Sequence, residues 1–170
     1  MINDYRKKLN NGYILIEAII GISIAIIGIL GILGLLSRSA SLNRVVTDQF
    51  IGNYLAAEGI EITKNLIDGN VIQEKPWNQN FATGNFETDY SSLILEPNQN
   101  RQILFDPADK LYSYKAGNPT NFIRTINIEL IGSDEIKVNS VVKWVTRGGG
   151  RFEVNLEDHF FNWRPIITIL

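Results

Sequence analysis

The sequence Gly12-Tyr13-Ile14-Leu15-Ile16-Glu17 opens an apolar run around which the rest of the chain is organised. From Tyr13 to Leu36 there are 24 residues, and Glu17 is the only one with a charged side chain. A helix of that length reaches about 36 Å, which is enough to cross the roughly 30 Å hydrocarbon core of a bilayer. Because core helices of soluble proteins are rarely apolar on every side for so long, we predict a membrane-spanning helix over residues 13–36.

Glu17 is the unusual residue of this run, because an unpaired carboxylate inside a spanning segment costs on the order of a few kcal/mol. One interpretation places it at the headgroup level near the helix start, where the helix dipole favours a negative charge. The other gives it a cationic partner. The nearest cations in the chain, Lys8 and Arg38, lie too far along the helix to reach it. Such a partner would therefore come from another molecule or from an amino terminus created by cleavage.

This stretch resembles the signature of type IV prepilins, in which a short basic leader and a glycine precede a long apolar segment. The leader here carries its cations at positions 6–8. The resemblance implies that a prepilin peptidase cuts between Gly12 and Tyr13 on the cytoplasmic side and N-methylates Tyr13. It also implies that Glu17 pairs with the amino terminus of a neighbouring subunit during assembly. The chain departs from the family pattern in having Tyr13 instead of the usual Phe, and Asn11 instead of a cation before the glycine.

The composition excludes several classes of function. The formal net charge is −2. Removal of residues 1–12 would take away three cations and one anion and leave about −4, which disfavours nucleic-acid binding through bulk charge. The chain has no cysteine, so it forms neither disulfides nor cysteine metal sites.

More cations precede the apolar run than follow it closely, at Arg38 and Arg44, and this asymmetry predicts a cytoplasmic amino terminus.

Glycines interrupt the second half of the apolar run at positions 28, 31 and 34. Small residues let helices approach closely in lipid, so Gly28, Gly31 and Gly34 are candidates for helix packing. Each glycine also weakens a helix by about 1 kcal/mol relative to alanine. Related pilin helices often lose helical pairing in this region, and the same three glycines are therefore also candidates for local melting. The sequence leaves both interpretations open.

The helix is predicted to continue beyond the apolar run as an amphipathic segment over residues 37–67 and to stop at Asp68-Gly69-Asn70. Its apolar stripe is predicted to pack on a globular domain, and Glu58 and Glu61 are assigned to the solvated side. The apolar positions recur with helical spacing at Leu42, Val46, Phe50, Tyr54 and Ala57, and beside them at Ile51, Leu55, Ile62 and Leu66.

The remainder is predicted to form an irregular loop over residues 68–90 and an antiparallel sheet over residues 91–170. In the loop, Trp77 and Phe81 are predicted to pack against the domain. The fold class is therefore α+β, and the resemblance implies the type IV pilin fold, with a long N-terminal helix packed on the sheet. The strand-like runs are residues 93–95, 102–105, 111–114, 122–131, 136–145 and 152–157.

The sequence offers little chemistry beyond assembly. No Gly-x-Ser-x-Gly, HExxH, P-loop or EF-hand pattern occurs, and the single histidine, His159, is interpreted as packed or exposed. We predict no catalytic residue, no metal site and no cofactor, and we read Asp106 and Asp109 as parts of a turn. Cations of the late sheet are interpreted as a solvated mixed face, with DNA contact as the alternative. These cations are Arg124, Lys143, Arg147, Arg151 and Arg164.

The resemblance implies a structural subunit of a type IV pilus, similar to minor pilins and not an enzyme. Its expected partners are other pilin subunits, the prepilin peptidase and the inner-membrane assembly platform. It would be held in the cytoplasmic membrane as a single-pass protein and then enter an extracytoplasmic filament. One alternative is a minor pseudopilin of a type II secretion system. Another is a single-span, membrane-anchored binding protein that never polymerises, and it predicts an uncut leader.

Overall fold

A computed structural model describes residues 2–146 and 148–163, with side chains described from residue 13 onward. The predicted order of a long apolar helix followed by an antiparallel sheet is confirmed. The chain divides into two units, Met1–Val46 and Thr47–Leu170, and the helix contributes to both. The elements are α1 (Ile2–Ile72), β1 (Gly84–Glu87), β2 (Glu96–Pro97), β3 (Gln102–Asp106), β4 (Leu111–Ser113), β5 (Asn118–Ile131), β6 (Glu135–Val145) and β7 (Arg151–Phe161).

Helix α1 ends at Ile72, a few residues beyond the stop predicted at Asp68-Gly69-Asn70. Gly69 and Asn70 remain helical, and the left-handed residue that closes the helix is Glu74, with a φ of 55°. The Lys75 amide donates to the Asn70 carbonyl at 2.9 Å, which satisfies one of the last free carbonyls. Pro76 follows and cannot continue the helix. The stop therefore comes from the left-handed turn at Glu74 and the proline after it.

All strand pairs in the described sheet are antiparallel. Strand β5 is central. It pairs with β6 on one side and, on the other, with β3 near its start and with β1 near its middle. Strand β6 also pairs with β7 in continuous register, from Glu135 opposite Phe161 to Val145 opposite Arg151. Strand β7 has no second partner among the described residues, so it forms an edge of the sheet.

Two short segments differ from the predicted strands. Residues 93–95 were expected to form a strand, but residues 88–95 form turns and bends. Asp89 holds the start of this segment in a turn, because its carboxylate accepts a hydrogen bond from the Ser91 amide at 2.9 Å. Conversely, β1 lies inside the predicted loop, where it pairs with residues 126–128 of β5. Trp77 and Phe81 pack partly buried against the core, as predicted.

The core lies between the second half of α1 and one face of the sheet. Strands β5 and β6 alternate buried and less buried residues, which is the period-2 pattern of a sheet with one covered face. The helix face that packs is not the whole predicted stripe: Phe50 is 74% exposed and Tyr54 is 57% exposed. The buried hydrophobic residues are Leu55, Ala56, Ile62, Ile67, Leu95, Ile103, Phe122, Ile126, Ile128, Ile136, Val138, Val142 and Trp144.

Two glycines explain why the packing face is displaced from the predicted stripe. A Cβ on Gly52 would lie 2.6 Å from the Trp144 ring, and one on Gly59 would lie 2.4 Å from Ser140 Oγ. Real Cβ atoms do not approach other atoms so closely, so the helix backbone sits directly on the sheet at these two turns. Gly52 and Gly59 are seven residues apart and therefore share one helix face. That face lies against the sheet, whereas Phe50 and Tyr54 point elsewhere.

Candidate functional site

The apolar run of α1 is the most unusual surface of the first unit. Every residue from Tyr13 to Leu36 is exposed, and the large apolar side chains in this range have exposed fractions between 52% and 76%. The helix is long and apolar enough to cross a membrane by length and composition. Apolar surface of this extent requires a cover of lipid or of other protein chains. The run is therefore a candidate membrane anchor and the candidate functional site of the chain.

The hydrogen-bonding groups of this run suit an environment without water. The run is helical throughout, so its backbone groups bond within the segment. Its one hydroxyl on an aliphatic side chain, that of Ser23, donates to the Ile19 carbonyl at 2.7 Å. This bond to the preceding turn removes the need for an outside partner. The carboxylate of Glu17 is then the charged group of the run, and the helix does not neutralise it.

Glu17 lies on the exposed surface of α1 and has no ion-pair partner in the described part of the chain. Tyr13, one helical turn before it, is 76% exposed. Residues 2–12 belong to the same helix, so Gly12 and Tyr13 are joined within one continuous element. The structure thus leaves open both interpretations of Glu17, the headgroup position and the partner from another molecule. It gives the carboxylate room for either.

Gly28, Gly31 and Gly34 are helical, and a Cβ added at any of them would meet nothing within 4 Å. They therefore form shallow sites on α1 where the backbone is open to a neighbouring helix. Packing and melting at these glycines both remain predictions.

The second unit contains a buried ion pair that joins helix and sheet. Arg124, only 1% exposed, donates from Nη1 to the Glu58 carboxylate at 2.7 Å and to the Leu55 carbonyl at 2.9 Å. Its Nη2 donates to the carbonyl of Thr88 through a short hydrogen bond. The predicted solvated positions of Arg124 and Glu58 are therefore wrong. The clue in the sequence was that Arg124 falls in step with the buried residues Phe122 and Ile126.

Because Arg124 is buried, it does not contribute to the exposed face that was considered for DNA contact. Of the other cations in that set, Lys143 pairs with Glu153 at 3.3 Å, and Arg151 is exposed. Arg147 and Arg164 lie outside the described residues. The described part of the sheet thus presents mixed charge, as the solvated-face interpretation expects.

Two buried acids, Glu87 and Asp89, hold the segment that follows β1 in place. Glu87 accepts hydrogen bonds from the amides of Gln99 and Arg101, at 2.9 and 3.0 Å, and from Arg101 Nε at 2.7 Å. The Arg101 guanidinium in turn stacks over the Tyr114 ring, 4.9 Å from its centroid. Burial raises the pKa of Tyr114 to about 12, and its hydroxyl donates to the Arg124 carbonyl at 3.3 Å. These bonds join the end of β1, the segment before β3, Tyr114 and strand β5 into one polar network.

Asp89 is the other buried acid, 2% exposed. Its Oδ2 accepts from the Tyr114 amide at 3.0 Å, and its Oδ1 accepts from Ser91 and Ser92. Burial alone would raise the pKa of this carboxyl, but the hydrogen bonds from Tyr114, Ser91 and Ser92 outweigh burial and lower it. The Asp89 carboxylate thus joins Ser91, Ser92 and the Tyr114 amide through hydrogen bonds.

The arrangement supplies no metal site in the part of the chain that the structure describes, where no group of three His, Asp or Glu side chains is placed to hold an ion. Asp106 Oδ1 instead accepts from the Ala108 amide at 2.8 Å, in the turn between β3 and β4. His159 lies on the exposed face of β7 between two glutamates. Comparison of the chain with protein-family models, curated proteins and solved structures gives no match.

Proposed function

We propose that this chain is a prepilin-like structural subunit of a type IV pilus. A prepilin peptidase would remove residues 1–12, methylate the new terminus at Tyr13 and leave the chain ready to enter a filament. The observation that carries the proposal is the apolar run Tyr13–Leu36, which is exposed on every side and contains a single charge at Glu17. Such a surface needs lipid before assembly and protein afterwards.

The second unit supports this proposal through its architecture. The helix is fixed to the sheet by close packing at Gly52 and Gly59 and by the buried pair of Arg124 and Glu58. The apolar run therefore belongs to a helix that is itself anchored in a folded domain. A filament subunit requires both parts, an apolar helix segment for the filament core and a folded domain for the filament surface.

The proposed partners follow from the same surface. Neighbouring subunits would cover the apolar run, and the amine of a processed neighbour would neutralise Glu17. Before assembly the chain would sit in the cytoplasmic membrane with its leader in the cytoplasm, where the peptidase and the assembly platform act. A minor pseudopilin of a secretion system would use the same chemistry.

The decisive experiment is mass spectrometry of the amino terminus after co-expression with a prepilin peptidase. We expect a chain that begins at N-methylated Tyr13, and we expect Gly12→Leu to keep its leader. Gly21→Ala, a change at another helical glycine with open space around it, is the matched control and should be processed normally. An intact Met1 terminus in the native chain would reject the proposal and favour a membrane-anchored protein that never polymerises.

A further inference from the structure

The outer face of β6 and β7 carries the only histidine of the chain between two carboxylates. His159 Nδ1 lies 2.6 Å from Glu135 Oε1, and His159 Nε2 lies 3.2 Å from Glu157 Oε1. Glu135 is the first residue of β6, while Glu157 and His159 are on β7. The imidazole ring therefore links the start of one strand to the end of the next.

This geometry selects one protonation state of the ring. A neutral imidazole has one N–H donor and one nitrogen that can only accept. If it donated to Glu135, its other nitrogen would present a lone pair to the Glu157 carboxylate, and the two would repel. A doubly protonated imidazolium donates to both carboxylates at once. Both contacts are therefore hydrogen bonds at the same time only when the ring carries two protons.

The charged groups around the ring extend the same pattern over three strands. On β6, Lys137 Nζ lies 3.2 Å from Glu157 Oε2 and 4.0 Å from Glu129 Oε2 of β5. On β7, Asp158 turns its carboxylate to the amide of His159 at 2.8 Å. With the ring protonated, charges alternate in sign along the row Glu135, His159, Glu157, Lys137 and Glu129.

The titration directions agree with this arrangement. Hydrogen bonds to Glu135 and then to Glu157 raise the pKa of His159. Hydrogen bonds from Asn139, then from His159 and Lys137, lower the pKa of Glu157 to about 2. Near neutrality, therefore, Glu157 is ionised and can accept a hydrogen bond from the ring.

The cluster lies near the C-terminal end of β7. Strand β7 is an edge strand, and its last residue, Phe161, pairs with Glu135. Beyond it, the Asn162 amide donates to the Asp134 carbonyl at 2.9 Å. We propose that Glu135 and His159 form a pH-sensitive clasp between β6 and the C-terminal end of β7, reinforced within β7 by Glu157. The clasp weakens when the ring loses its second proton, because an ion pair with both carboxylates is replaced by a single neutral hydrogen-bond donor.

The direction of the pH effect follows from the linkage between proton binding and folding. A group whose pKa is raised by folding stabilises the folded form fully below its unfolded pKa, and this contribution disappears as the pH rises through the folded pKa. The clasp is therefore closed in mild acid and opens on the alkaline side. Because the groups are largely solvent-exposed, the effect is local to the strand end and does not unfold the domain.

The test uses the untagged full chain in detergent micelles, where the single histidine gives an NMR titration that needs no assignment. We expect a midpoint above that of a free histidine, lowered by Glu135→Gln and by Glu157→Gln. Glu153→Gln is the control, since Glu153 lies on the same face of β7 but pairs with Lys143. A midpoint at or below the free value, or one that neither cluster variant moves, would overturn the proposal.

Hydrogen exchange supplies the second readout. After correction for intrinsic rates, the amides of residues 159–161 should exchange about two- to fivefold faster above the midpoint than below it, as expected for loss of exposed ion pairs. The same comparison in His159→Gln should show no change with pH. Identical pH profiles in the native chain and in His159→Gln would show that the ring does not hold the strand end.

Discussion

The guanidinium of Arg124, on strand β5, lies 2.7 Å from the carboxylate of Glu58, on helix α1, and both groups face the interior between helix and sheet. Arg124 is 1% exposed and the Glu58 side chain is 17% exposed. The backbone carbonyls of Leu55 and Thr88 accept hydrogen bonds from Nη1 and Nη2 of the same guanidinium, while its buried Nε has no partner among the described residues. The Arg124 side chain therefore ties strand β5 to helix α1 and to the segment that follows β1.

Arg124→Met should destabilise the domain by about 3–5 kcal/mol. It removes the guanidinium but leaves Glu58 partly buried without a cation and takes one donor from each of the carbonyls of Leu55 and Thr88. The measurement is chemical denaturation of the full chain in detergent, followed by circular dichroism. Lys143→Met is the matched control, because the Lys143–Glu153 pair is exposed and should cost less than about 1 kcal/mol. Equal losses in the two variants would show that the buried pair is not special.

Gly59→Ala should also destabilise the domain, by about 1–3 kcal/mol, although alanine is the better helix former. The added methyl would lie 2.4 Å from Ser140 Oγ and 2.7 Å from Ile126 Cδ1, so helix and sheet must separate. Gly69→Ala is the control, since nothing lies within 4 Å of that position. It should be neutral or stabilise by up to about 1 kcal/mol through helix propensity. Melting temperatures that rise in both variants would contradict the close approach at Gly59.

The sequence was informative where the pattern was regular. The length and uniform apolarity of residues 13–36 predicted a helix. The alternation of residues 122–131 and the apolar residues of 136–145 predicted two long strands. Each depends on the nature of the side chains alone, repeated over many residues. The short strands β3 and β4 were predicted, but β1 was missed and residues 93–95 are not a strand. Strand β1 exists through its pairing with β5, and the turn after it through the carboxylate of Asp89. Such causes are not local in sequence.

The residues of the candidate site also fall into those that the sequence revealed and those that it did not. The apolar run and Glu17 were visible in the sequence because they contrast with their surroundings. The roles of Gly59 and Arg124 were not, since a glycine within a helix and an arginine within a strand have several common explanations. What decides between them is which face meets the partner element, and that depends on the packing of helix against sheet. The burial of Arg124 was indicated only by its position two residues from both Phe122 and Ile126, which places all three on the same face of the strand.

Asp89→Asn should weaken the domain by about 1–3 kcal/mol at pH 7 and by less in acid. Oδ1 and Oδ2 of Asp89 both accept hydrogen bonds, so an amide must turn one NH₂ group towards a donor. Because the pKa of Asp89 is lowered in the fold, its contribution is present above the unfolded value and fades as the pH falls through the folded one. Denaturation of both chains at pH 7 and pH 3 measures the difference. A gap that widens at pH 3 would reverse the assigned sign.

Glu17→Gln should lower incorporation into filaments about tenfold or more, while insertion into the membrane stays the same or improves. The change keeps the size and polarity of the side chain but removes the charge that the amine of a neighbour would neutralise, and breaking a desolvated charge pair has a large cost. The measurement is the ratio of chain in sheared filaments to chain in membranes, in cells that supply the assembly machinery.

Glu61→Gln is the matched control for Glu17→Gln, because Glu61 lies on the same helix but is exposed and pairs only with Lys64 at 3.6 Å. The headgroup interpretation of Glu17 makes the opposite prediction, since a carboxylate that only sits at the membrane surface has no part in subunit contacts. Glu17→Gln chains that enter filaments as readily as Glu61→Gln chains would therefore favour that interpretation. They would also remove the reason for expecting a neighbour's amine beside this carboxylate.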